Sequence, residues 1–339
     1  MIDLHVSKMD EGQRLNKYLM KYLNDAPASF IYKMIRKKNI VMNNKRVKGD
    51  EIIHEADVIS LYLSDETISK FQKNKAVKNT DIKAKGNTKG NKLQVLYQDD
   101  DIMAIHKPAG VLSQKASAGD YSINECLIDY CKNNHVISDE AFLTFTPSVC
   151  NRLDRNTSGI ILAGISLKGS QFLSETLKKR TSDKFYYTVV FGEMTKGIHE
   201  IAYISKDRSA NKSSIISEAE YKRLLPDVSN DYTRIETAFE PLFVKNGYSL
   251  IKVKLITGKS HQIRAHLRAL GFYVVGDTKY GNVKINTIMR DRYKLKHHLL
   301  HAGEVIIPDY RGDELVIKDK LPEQFKSICM GLGLSIDNI

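Results

Sequence analysis

Residues 151–164, with the sequence NRLDRNTSGIILAG, decide the fold of the larger part of this chain. Here a polar turn carries a single carboxylate, Asp154, and leads directly into an apolar run from Ile160 to Ile165. A short apolar run that follows turn residues is typical of a strand buried on both faces. The stretch therefore predicts a carboxylate held at the entrance to a core strand.

The charges around Asp154 allow two interpretations. Arg152 and Arg155 flank the carboxylate, and nearby cations favour the ionised form that a nucleophile requires. An ordinary surface ion pair would show the same sequence and would contribute little to stability. Taken alone, the turn favours the surface ion pair, so the choice depends on the rest of the chain.

Short β-like runs dominate the sequence after Leu93. They are Val95–Tyr97, Ile102–Ile105, Ile160–Ile165, Phe185–Phe191 and Ser249–Ile256. Asn246-Gly247, just before the last run, is a strong hairpin signal. Helical patterns occur at 170–180 and 260–270, and Gly271 closes the second. Strand runs mixed with isolated helices predict an α+β fold rather than a regular βαβ alternation.

The first 63 residues predict a small α/β module. Apolar residues at helical spacing indicate one helix near residues 15–22 and a second helix that Ser29 can cap, and short strands follow. Basic residues gather at Arg36, Lys37 and Lys38, where the second helix ends. Two helices, short strands and this basic junction suit a compact surface that docks on RNA.

A change of composition separates this module from the rest of the chain. Between Ser64 and Lys92 there are eight lysines against three acidic residues and little apolar periodicity, so we expect a flexible basic linker. An RNA-contacting arm and a plain spacer are equally compatible with it. The predicted organisation is therefore a module at 1–63, a linker at 64–92, a catalytic domain at 93–325 and a tail at 326–339.

Composition limits the partners that this chain of 339 residues can have. The formal net charge of +12 favours a polyanion such as nucleic acid. No stretch approaches the roughly 18 apolar residues that span a membrane, and the amino-terminal residues lack a secretory signal. Four cysteines without metal-ligand spacing fit free thiols in a reducing compartment. We therefore expect a cytoplasmic protein without a metal or an organic cofactor.

Other chemistry at residues 257–267 is excluded by spacing. The Gly-Lys-Ser triplet there lacks the first glycine and the spacing of a phosphate-binding loop. His261 and His266 lack the separation of a helical zinc pair. Arg264 lies one position from the apolar stripe of the predicted helix, so we expect it to be partly buried beside an anionic partner.

Five collinear motifs resemble the catalytic domain of the RluA-type pseudouridine synthases over about residues 93–310. The motifs are DDDIMAIHKPAG, NRLDRNTSGIILAG, KFYYTVVFG, TGKSHQIRAHLRALG with GDTKYG, and Leu300-His301-Ala302. Residues 10–63 resemble the alpha-L RNA-binding domain. Departures are Asn151, where the family most often has His, Lys259 in a Thr-Gly-Arg-Thr motif, and Ala56 in place of Gly. The basic stretch 282–298 fits less well, and we expect a loop particular to this chain.

The resemblance implies an RNA-modifying enzyme that isomerises uridine to pseudouridine after flipping the base into a pocket. It implies a catalytic domain built on a mixed, mainly antiparallel β-sheet with flanking helices. Its catalytic residues would be Asp154, which acts on the sugar–base unit, Arg264, which pairs with it, and Tyr186, which stacks on the base and could take the C5 proton. The predicted RNA contacts are Arg152, Arg155, Lys107, Lys259, His261, Arg14, Arg36 and Lys37.

The sequence leaves the RNA substrate open. The appended RNA-binding module makes large-subunit ribosomal RNA our first choice, with transfer RNA as the alternative, and the resemblance implies a monomer. The competing class is a non-catalytic RNA-binding ribosome-assembly factor. Such a factor would tolerate the loss of Asp154, Tyr186 or Arg264, and all three are present.

Overall fold

The computed structural model describes residues 1–72, 93–117, 119–207, 209, 212–225, 231–309, 312–337 and 339. The chain forms two compact units. Unit 1 comprises Met1–Met103, Gln114–Asn151 and Leu162–Glu175, and unit 2 comprises Ala104–Ser113, Arg152–Ile161 and Thr176–Ile339. None of the helices in these described ranges has the length and apolarity that crossing a membrane requires.

The elements from β1 to α6 lie within residues 1–179, most of which belong to unit 1. They are β1 (Ile2–His5), α1 (Leu15–Tyr22), α2 (Ala28–Arg36), β2 (Ile40–Met42), β3 (Lys45–Arg46), β4 (Val58–Leu61), α3 (Asp65–Phe71), β5 (Gln94–Gln98), β6 (Ile102–Lys107), α4 (Ile123–Asn133), α5 (Ala141–Thr144), β7 (Ser148–Val149), β8 (Ser158–Gly164) and α6 (Leu167–Lys179).

The remaining elements belong to unit 2. They are β9 (Asp183–Phe191), β10 (Ile198–Asp207), β11 (Lys212–Ser217), α7 (Glu218–Leu224), β12 (Thr233–Lys245), β13 (Tyr248–Leu255), α8 (Gln262–Ala269), β14 (Tyr273–Val274), α9 (Val283–Tyr293), β15 (Leu300–Pro308), β16 (Glu314–Lys318) and α10 (Glu323–Leu332).

The amino-terminal part of unit 1 is a four-stranded antiparallel sheet with helices packed on one core. Its strands follow the order β1-β4-β2-β3, and α1 and α2 bury the apolar stripes that the sequence predicted. Asn43 and Asn44, with φ of 51° and 59°, form the turn between β2 and β3. These positive φ values match the mirror-image turns that join antiparallel strands. The short β1 carried too little pattern to be predicted.

Two boundaries of the amino-terminal helices correct the sequence prediction. The residue that caps α2 is Pro27, with φ of −64°, and Ser29 lies inside the helix. Pro27 has the extended backbone of an N-cap residue, with ψ of 145°, and no side chain caps the helix. The predicted linker also begins too early, because residues 65–71 form α3, which Ser64 caps.

α3 belongs to the core of this unit. Ile68 is buried in the same cluster as the side chains of α1 and α2, and Phe71 packs on Phe30 with ring centroids 4.5 Å apart. Two apolar side chains therefore suffice to fix a segment whose composition indicated a linker. The rest of the predicted linker, residues 73–92, lies outside the described residues.

Contacts of α1 extend beyond the predicted module. α1 lies against α5, and the Thr144 hydroxyl donates to Asp10 at 2.6 Å. Contacts therefore group residues 1–63 with later parts of unit 1, whereas composition placed a boundary near residue 63. The physical reason is that tertiary contacts between distant segments leave no mark on local composition. The RNA-binding assignment of residues 1–63 stays a prediction.

Unit 2 has the predicted α+β architecture, with a large, mainly antiparallel sheet and flanking helices. Its hydrogen-bonded strands follow the order β11-β10-β12-β13-β9-β15-β8. The hairpin of β12 and β13 turns at Asn246-Gly247 as predicted, with Lys245 opposite Tyr248. Among the strand pairings described for unit 2, only that of β15 with β8 is parallel. The turn of residues 151–157 therefore enters the sheet beside β15.

A glycine makes this parallel pairing possible. Gly159 has φ of 119°, and a Cβ atom there would lie 2.2 Å from the carbonyl oxygen of Ala302 on β15. Any larger residue would push the two strands apart. Side chains add two fixed points, because Ser158 bonds to His301 at 2.9 Å and Thr157 bonds to His298 at 2.8 Å.

Two carboxyl-terminal segments also correct the prediction. Residues 326–339 were expected to be a tail, yet α10 buries Phe325, Ile328 and Cys329 in the core of unit 2. The basic stretch 282–298 was expected to be a loop and instead contains α9, which the Asn282 side chain caps and which Lys294 ends at φ 54°. The asparagine cap was the available signal for this helix.

Unit 1 contains a backbone position at which this chain has alanine in a left-handed conformation. Ala56 is exposed and has φ of 68°, a conformation that costs an L-residue about 1–2 kcal/mol and glycine little. Because glycine also loses more entropy on folding, we expect Ala56→Gly to stabilise the chain by about 0.5–1 kcal/mol. Thermal unfolding of the full chain measures the effect.

The reciprocal change is the matched control. Gly12 is also exposed, has φ of 84°, and has no atom within 4 Å of the place of a Cβ. Gly12→Ala should therefore lower the melting temperature through backbone strain alone. A lower melting temperature for Ala56→Gly would contradict the strain at Ala56.

Candidate active site

The turn that carries Asp154 is held by backbone and hydroxyl hydrogen bonds within unit 2. The N–H of Thr157 donates to the carbonyl of Asp154 at 3.0 Å. One residue earlier, Leu153 is buried, and the Ser113 hydroxyl accepts its N–H at 3.0 Å and donates to its carbonyl at 2.9 Å. The backbone is therefore fixed on both sides of Asp154, whose side chain keeps 24% exposure.

Arg264 holds the Asp154 carboxylate and a second carboxylate at the same time. Its Nη1 donates to Asp154 Oδ2 at 2.8 Å, while its Nε and Nη2 donate to the two oxygens of Asp277 at 2.6 and 2.9 Å. The planar guanidinium fork suits this bidentate geometry. The structure thus brings together Asp154 and Arg264, two of the residues selected from the sequence, and adds Asp277 to them.

The opposite charges of Arg264 and Asp277 keep each other ionised. Burial opposes the charge of Arg264, but its hydrogen bonds to Asp277 and the nearby Asp154 outweigh burial and raise its pKa. Burial likewise opposes the charge of Asp277, and Arg264 reverses this and lowers the pKa of Asp277. The side chains of Arg264 and Asp277 are only 7% and 0% exposed, so water screens their interaction weakly.

Asp277 is the member of this group that the sequence prediction missed. Its Oδ1 also accepts the N–H groups of Lys279 and Tyr280, at 2.8 and 3.1 Å. An aspartate whose carboxylate accepts the backbone N–H groups two and three residues later is common in turns. The motif GDTKYG contained this signal, but nothing in it indicated that the same carboxylate would reach Arg264.

Tyr186 lies on β9, buried between its sheet neighbours Val253 and Ala302. Burial raises the pKa of the Tyr186 hydroxyl, and the negative charge of Asp154 raises it further. The two side chains are therefore within electrostatic range, and the phenol stays protonated at neutral pH. The structure thus places Tyr186 near Asp154, which in turn bonds to Arg264.

Lys107 has a different role from the RNA contact that the sequence predicted. Its side chain is fully buried, and its ammonium donates to the carbonyls of Pro108, Val111 and Arg155 at 3.0, 2.8 and 3.0 Å. Burial lowers the pKa of Lys107 to about 7, and Asp154 partly opposes this. Three carbonyls require three hydrogens, so the charged form completes the set. Lys107 clamps the turn and is not available to RNA.

The other predicted RNA contacts differ in exposure. Arg152, Arg155 and Lys259 are exposed in unit 2, and Arg155 also donates to the carbonyl of Gly110 at 3.3 Å. His261 is half-buried, precedes α8 with φ of 59°, and lies with its Nδ1 3.0 Å from the hydroxyl of Tyr280. Arg14, Arg36 and Lys37 are exposed in unit 1.

Two buried histidines, which the sequence prediction did not assign, support the turn as neutral side chains. Burial lowers the pKa of His298 to about 3 and that of His301 to about 4. His298 bonds to Thr157 and His301 to Ser158, the residues that lead from the turn into β8. Their contribution is to position the backbone that carries Asp154.

The RNA pseudouridylate synthase family matches residues 101–269, the segment that contains Asp154, Tyr186 and Arg264. The chain belongs to this family. It is an RNA pseudouridine synthase. The competing class, a non-catalytic assembly factor, is therefore not the class of this protein.

Relatives of similar length share this assignment. A ribosomal large subunit pseudouridine synthase C of Rickettsia bellii is 28% identical over 94% of this chain and 97% of its own length. The protein of the same name from Haemophilus influenzae is 28% identical over 97% and 94%. An uncharacterized RNA pseudouridine synthase of Mycoplasma genitalium is 27% identical over 95% and 94%.

A solved structure shows the same fold. Human RNA pseudouridylate synthase domain containing 4 has a TM-score of 0.57 and 22% identity, over 72% of this chain and 95% of that one. The similarity confirms the predicted mixed architecture of a pseudouridine synthase domain.

The buried ion pair predicts a pH-dependent loss of stability in one variant. Arg264→Ala leaves Asp277 buried without its cation, so we expect a loss of about 3–5 kcal/mol at pH 7. In this variant Arg264 no longer lowers the pKa of Asp277, so burial raises that pKa against the remaining Lys279 N–H hydrogen bond and the nearby His298. Protonation at acid pH then removes the penalty, so the difference from the parent chain should shrink as the pH falls toward 4. Denaturant unfolding at several pH values measures it.

Arg152→Ala is the matched control, because Arg152 also flanks Asp154 but is exposed. It should change the free energy of unfolding by less than about 0.5 kcal/mol at any pH. Equal stability of the two variants at pH 7 would show that the Arg264 ion pair contributes nothing to the fold.

Proposed function

We propose that this enzyme converts uridine to pseudouridine in large-subunit ribosomal RNA, with Asp154 as the residue that acts on the ribose of a flipped-out nucleotide. The observation that carries the proposal is the Asp154 carboxylate, partly exposed and fixed by a buried arginine. The names of relatives that align over nearly their whole length support the choice of RNA.

The reaction requires no donor or acceptor molecule. The N1–C1′ bond breaks, the base rotates, and C5 joins C1′. The C5 proton leaves and N1 gains a proton, so the product is an isomer of the substrate. A stacked base is inaccessible, so the nucleotide must first leave the stack. The chain therefore needs a pocket, a carboxylate and a surface for the base.

Asp154 meets the requirement for a reacting carboxylate. Arg264 binds Oδ2 and fixes the plane of the group, while Oδ1 accepts no hydrogen bond from any of the described residues. Oδ1 is thus the atom offered to the ribose, whether it adds to the sugar or removes a sugar proton. The energetic advantage is preorganisation, because Arg264 and Asp277 hold their geometry before RNA binds.

Tyr186 supplies the surface on which the base stacks. Its aromatic ring is large and rigid, and stacking on a base contributes about 1–3 kcal/mol. Its hydroxyl is protonated at neutral pH, so it is not ready to accept the C5 proton. Of the two roles expected from the sequence, the proposal therefore keeps stacking.

Exposed cations would bind the RNA around the target nucleotide. Arg152, Arg155 and Lys259 lie close in sequence to Asp154 or Arg264, and their exposure leaves them available to phosphates. In unit 1, the corresponding proposal is that Arg14, Arg36 and Lys37 dock on a folded part of the RNA. The proposal retains the cytoplasmic monomer expected from the sequence.

The function is tested by mapping pseudouridine in total RNA from cells with and without this gene. Carbodiimide-dependent stops of reverse transcriptase in large-subunit ribosomal RNA should vanish on deletion and return with the wild-type gene. They should not return with Asp154→Asn, since the amide keeps the shape and loses the charge. Sites that vanish from transfer RNA instead would identify the alternative substrate.

The matched control shows that Asp154→Asn is folded and binds RNA. Its melting temperature and its affinity for a ribosomal RNA transcript should stay close to those of the wild type, because the Asn carbonyl still accepts from Arg264. Measurable turnover of the purified variant would refute the role of Asp154.

The docking role of unit 1 predicts a change in salt dependence. Arg14→Gln, Arg36→Gln and Lys37→Gln together should weaken RNA binding and reduce the slope of log affinity against log salt by about 0.7–0.9 per lost phosphate contact. Filter binding at several salt concentrations measures the slope. Lys178→Gln, Lys318→Gln and Lys320→Gln change the same net charge at exposed sites elsewhere. Equal slopes for the two triple variants would contradict a specific docking surface.

A further inference from the structure

Tyr280 joins the arginine of the site to a histidine. It is 1% exposed, and its ring centroid lies 5.2 Å from Cζ of Arg264 and 5.9 Å from the ammonium nitrogen of Lys212. The imidazole of His261 meets the same ring edge-on, with centroids 5.6 Å apart. Asp154, Arg264, Tyr280 and His261 therefore form one continuous group, and the proposed function assigns no task to its last two members.

The hydroxyl of Tyr280 fixes the tautomer of His261. Its oxygen accepts the backbone N–H of Ser213 at 2.6 Å and lies 3.0 Å from His261 Nδ1. A phenol has one hydrogen, and a buried O–H without an acceptor carries a desolvation penalty. Within the described ranges, Nδ1 is the acceptor that this hydrogen reaches. Nδ1 is therefore unprotonated, and the imidazole hydrogen resides on Nε2.

The surroundings also keep the ring neutral. Burial lowers the pKa of His261 and the Asp154 carboxylate opposes it, while the cations Arg264, Lys279 and Lys206 lower it further. These groups come from the turn before β8, from α8, from the segment after β14 and from β10. Since the pKa lies below the ordinary value for histidine, the ring is uncharged at neutral pH and gains its charge only in acid.

We propose that His261 is a catalytic residue whose Nε2–H donates a hydrogen bond to a carbonyl oxygen of the target uracil. The inference rests on the proposed function, because it requires the uracil to lie beside Asp154. When the N1–C1′ bond opens, its electron pair passes to the base and spreads onto O2 and O4. A fixed neutral donor stabilises that charge and keeps its own hydrogen throughout.

Tyr280 is then a positioning residue that acts through His261. Its hydroxyl occupies Nδ1, which fixes the ring orientation and opposes protonation of the ring. This role differs from the phosphate contact that the sequence suggested for His261. A phosphate contact would strengthen as the pH falls because the ring gains charge, whereas the proposed contact would weaken, because the charged ring is attracted to the Asp154 carboxylate and away from the uracil.

The experiment compares kcat and KM of the full-length enzyme on a transcript of its ribosomal RNA target between pH 5 and 9. His261→Leu and His261→Gln are matched, because both place a long side chain on the same left-handed backbone and only Gln carries an N–H donor. His261→Leu should lower kcat about 100-fold with KM within about threefold. His261→Gln should recover at least about tenfold of that loss. Its kcat should also lack the acid limb, the fall in kcat toward low pH that we expect for the wild type.

Tyr280→Phe isolates the positioning role. Loss of the hydrogen bond to Nδ1 makes protonation easier, so the acid limb of kcat should move to higher pH by roughly 0.5–1 unit. The inference would be overturned if Tyr280→Phe left the acid limb of the kcat profile where it is in the wild type. It would also be overturned if His261→Leu changed KM alone, by a factor that grows as the pH falls. Wild type and Asp154→Asn in the same assay test the proposed function separately, because turnover by wild type and none by Asp154→Asn must hold first.

Discussion

The guanidinium of Arg264 is the interaction on which the site depends. It bonds to the fully buried Asp277 through two nitrogens and to the partly exposed Asp154 through the third. A buried cation requires carboxylate partners, because leaving either charge unpaired is strongly destabilising. Unit 2 can therefore bury Arg264 without a large loss of stability only if both carboxylates pair with it. The same requirement that stabilises unit 2 also orients the carboxylate proposed to react.

The contacts around the turn hold Asp154 in position for this ion pair. Gly159 permits the close parallel approach of β8 to β15. The Lys107 ammonium joins the carbonyl of Arg155 in the turn to those of Pro108 and Val111. Buried histidines fix the two hydroxyls that follow the turn. Because these contacts restrain the backbone and the side chains beside Asp154, this residue keeps its place while its own side chain stays partly exposed. The carboxylate proposed to react thus combines a rigid support with exposure to solvent.

Sequence reasoning succeeded where the signal was local and failed where two distant segments meet. Asn246-Gly247 predicted its hairpin, and the apolar stripe of α8 predicted a buried Arg264. Lys107 looked like a surface cation because nothing nearby reveals three convergent carbonyls. α3 and α10 looked like linker and tail, since a few apolar side chains fix each of them against partners far away in the chain.

The sequence by itself determined the family, the α+β class and the three side chains proposed for catalysis, because collinear motifs preserve residue type and local spacing. Only the tertiary structure decided that Asp277 shares Arg264, that Lys107 is buried and that Tyr280 sets the hydrogen of His261. Each of these depends on atoms brought within about 3 Å from different elements, and hydrogen-bond distance is a property of packing that no local pattern encodes.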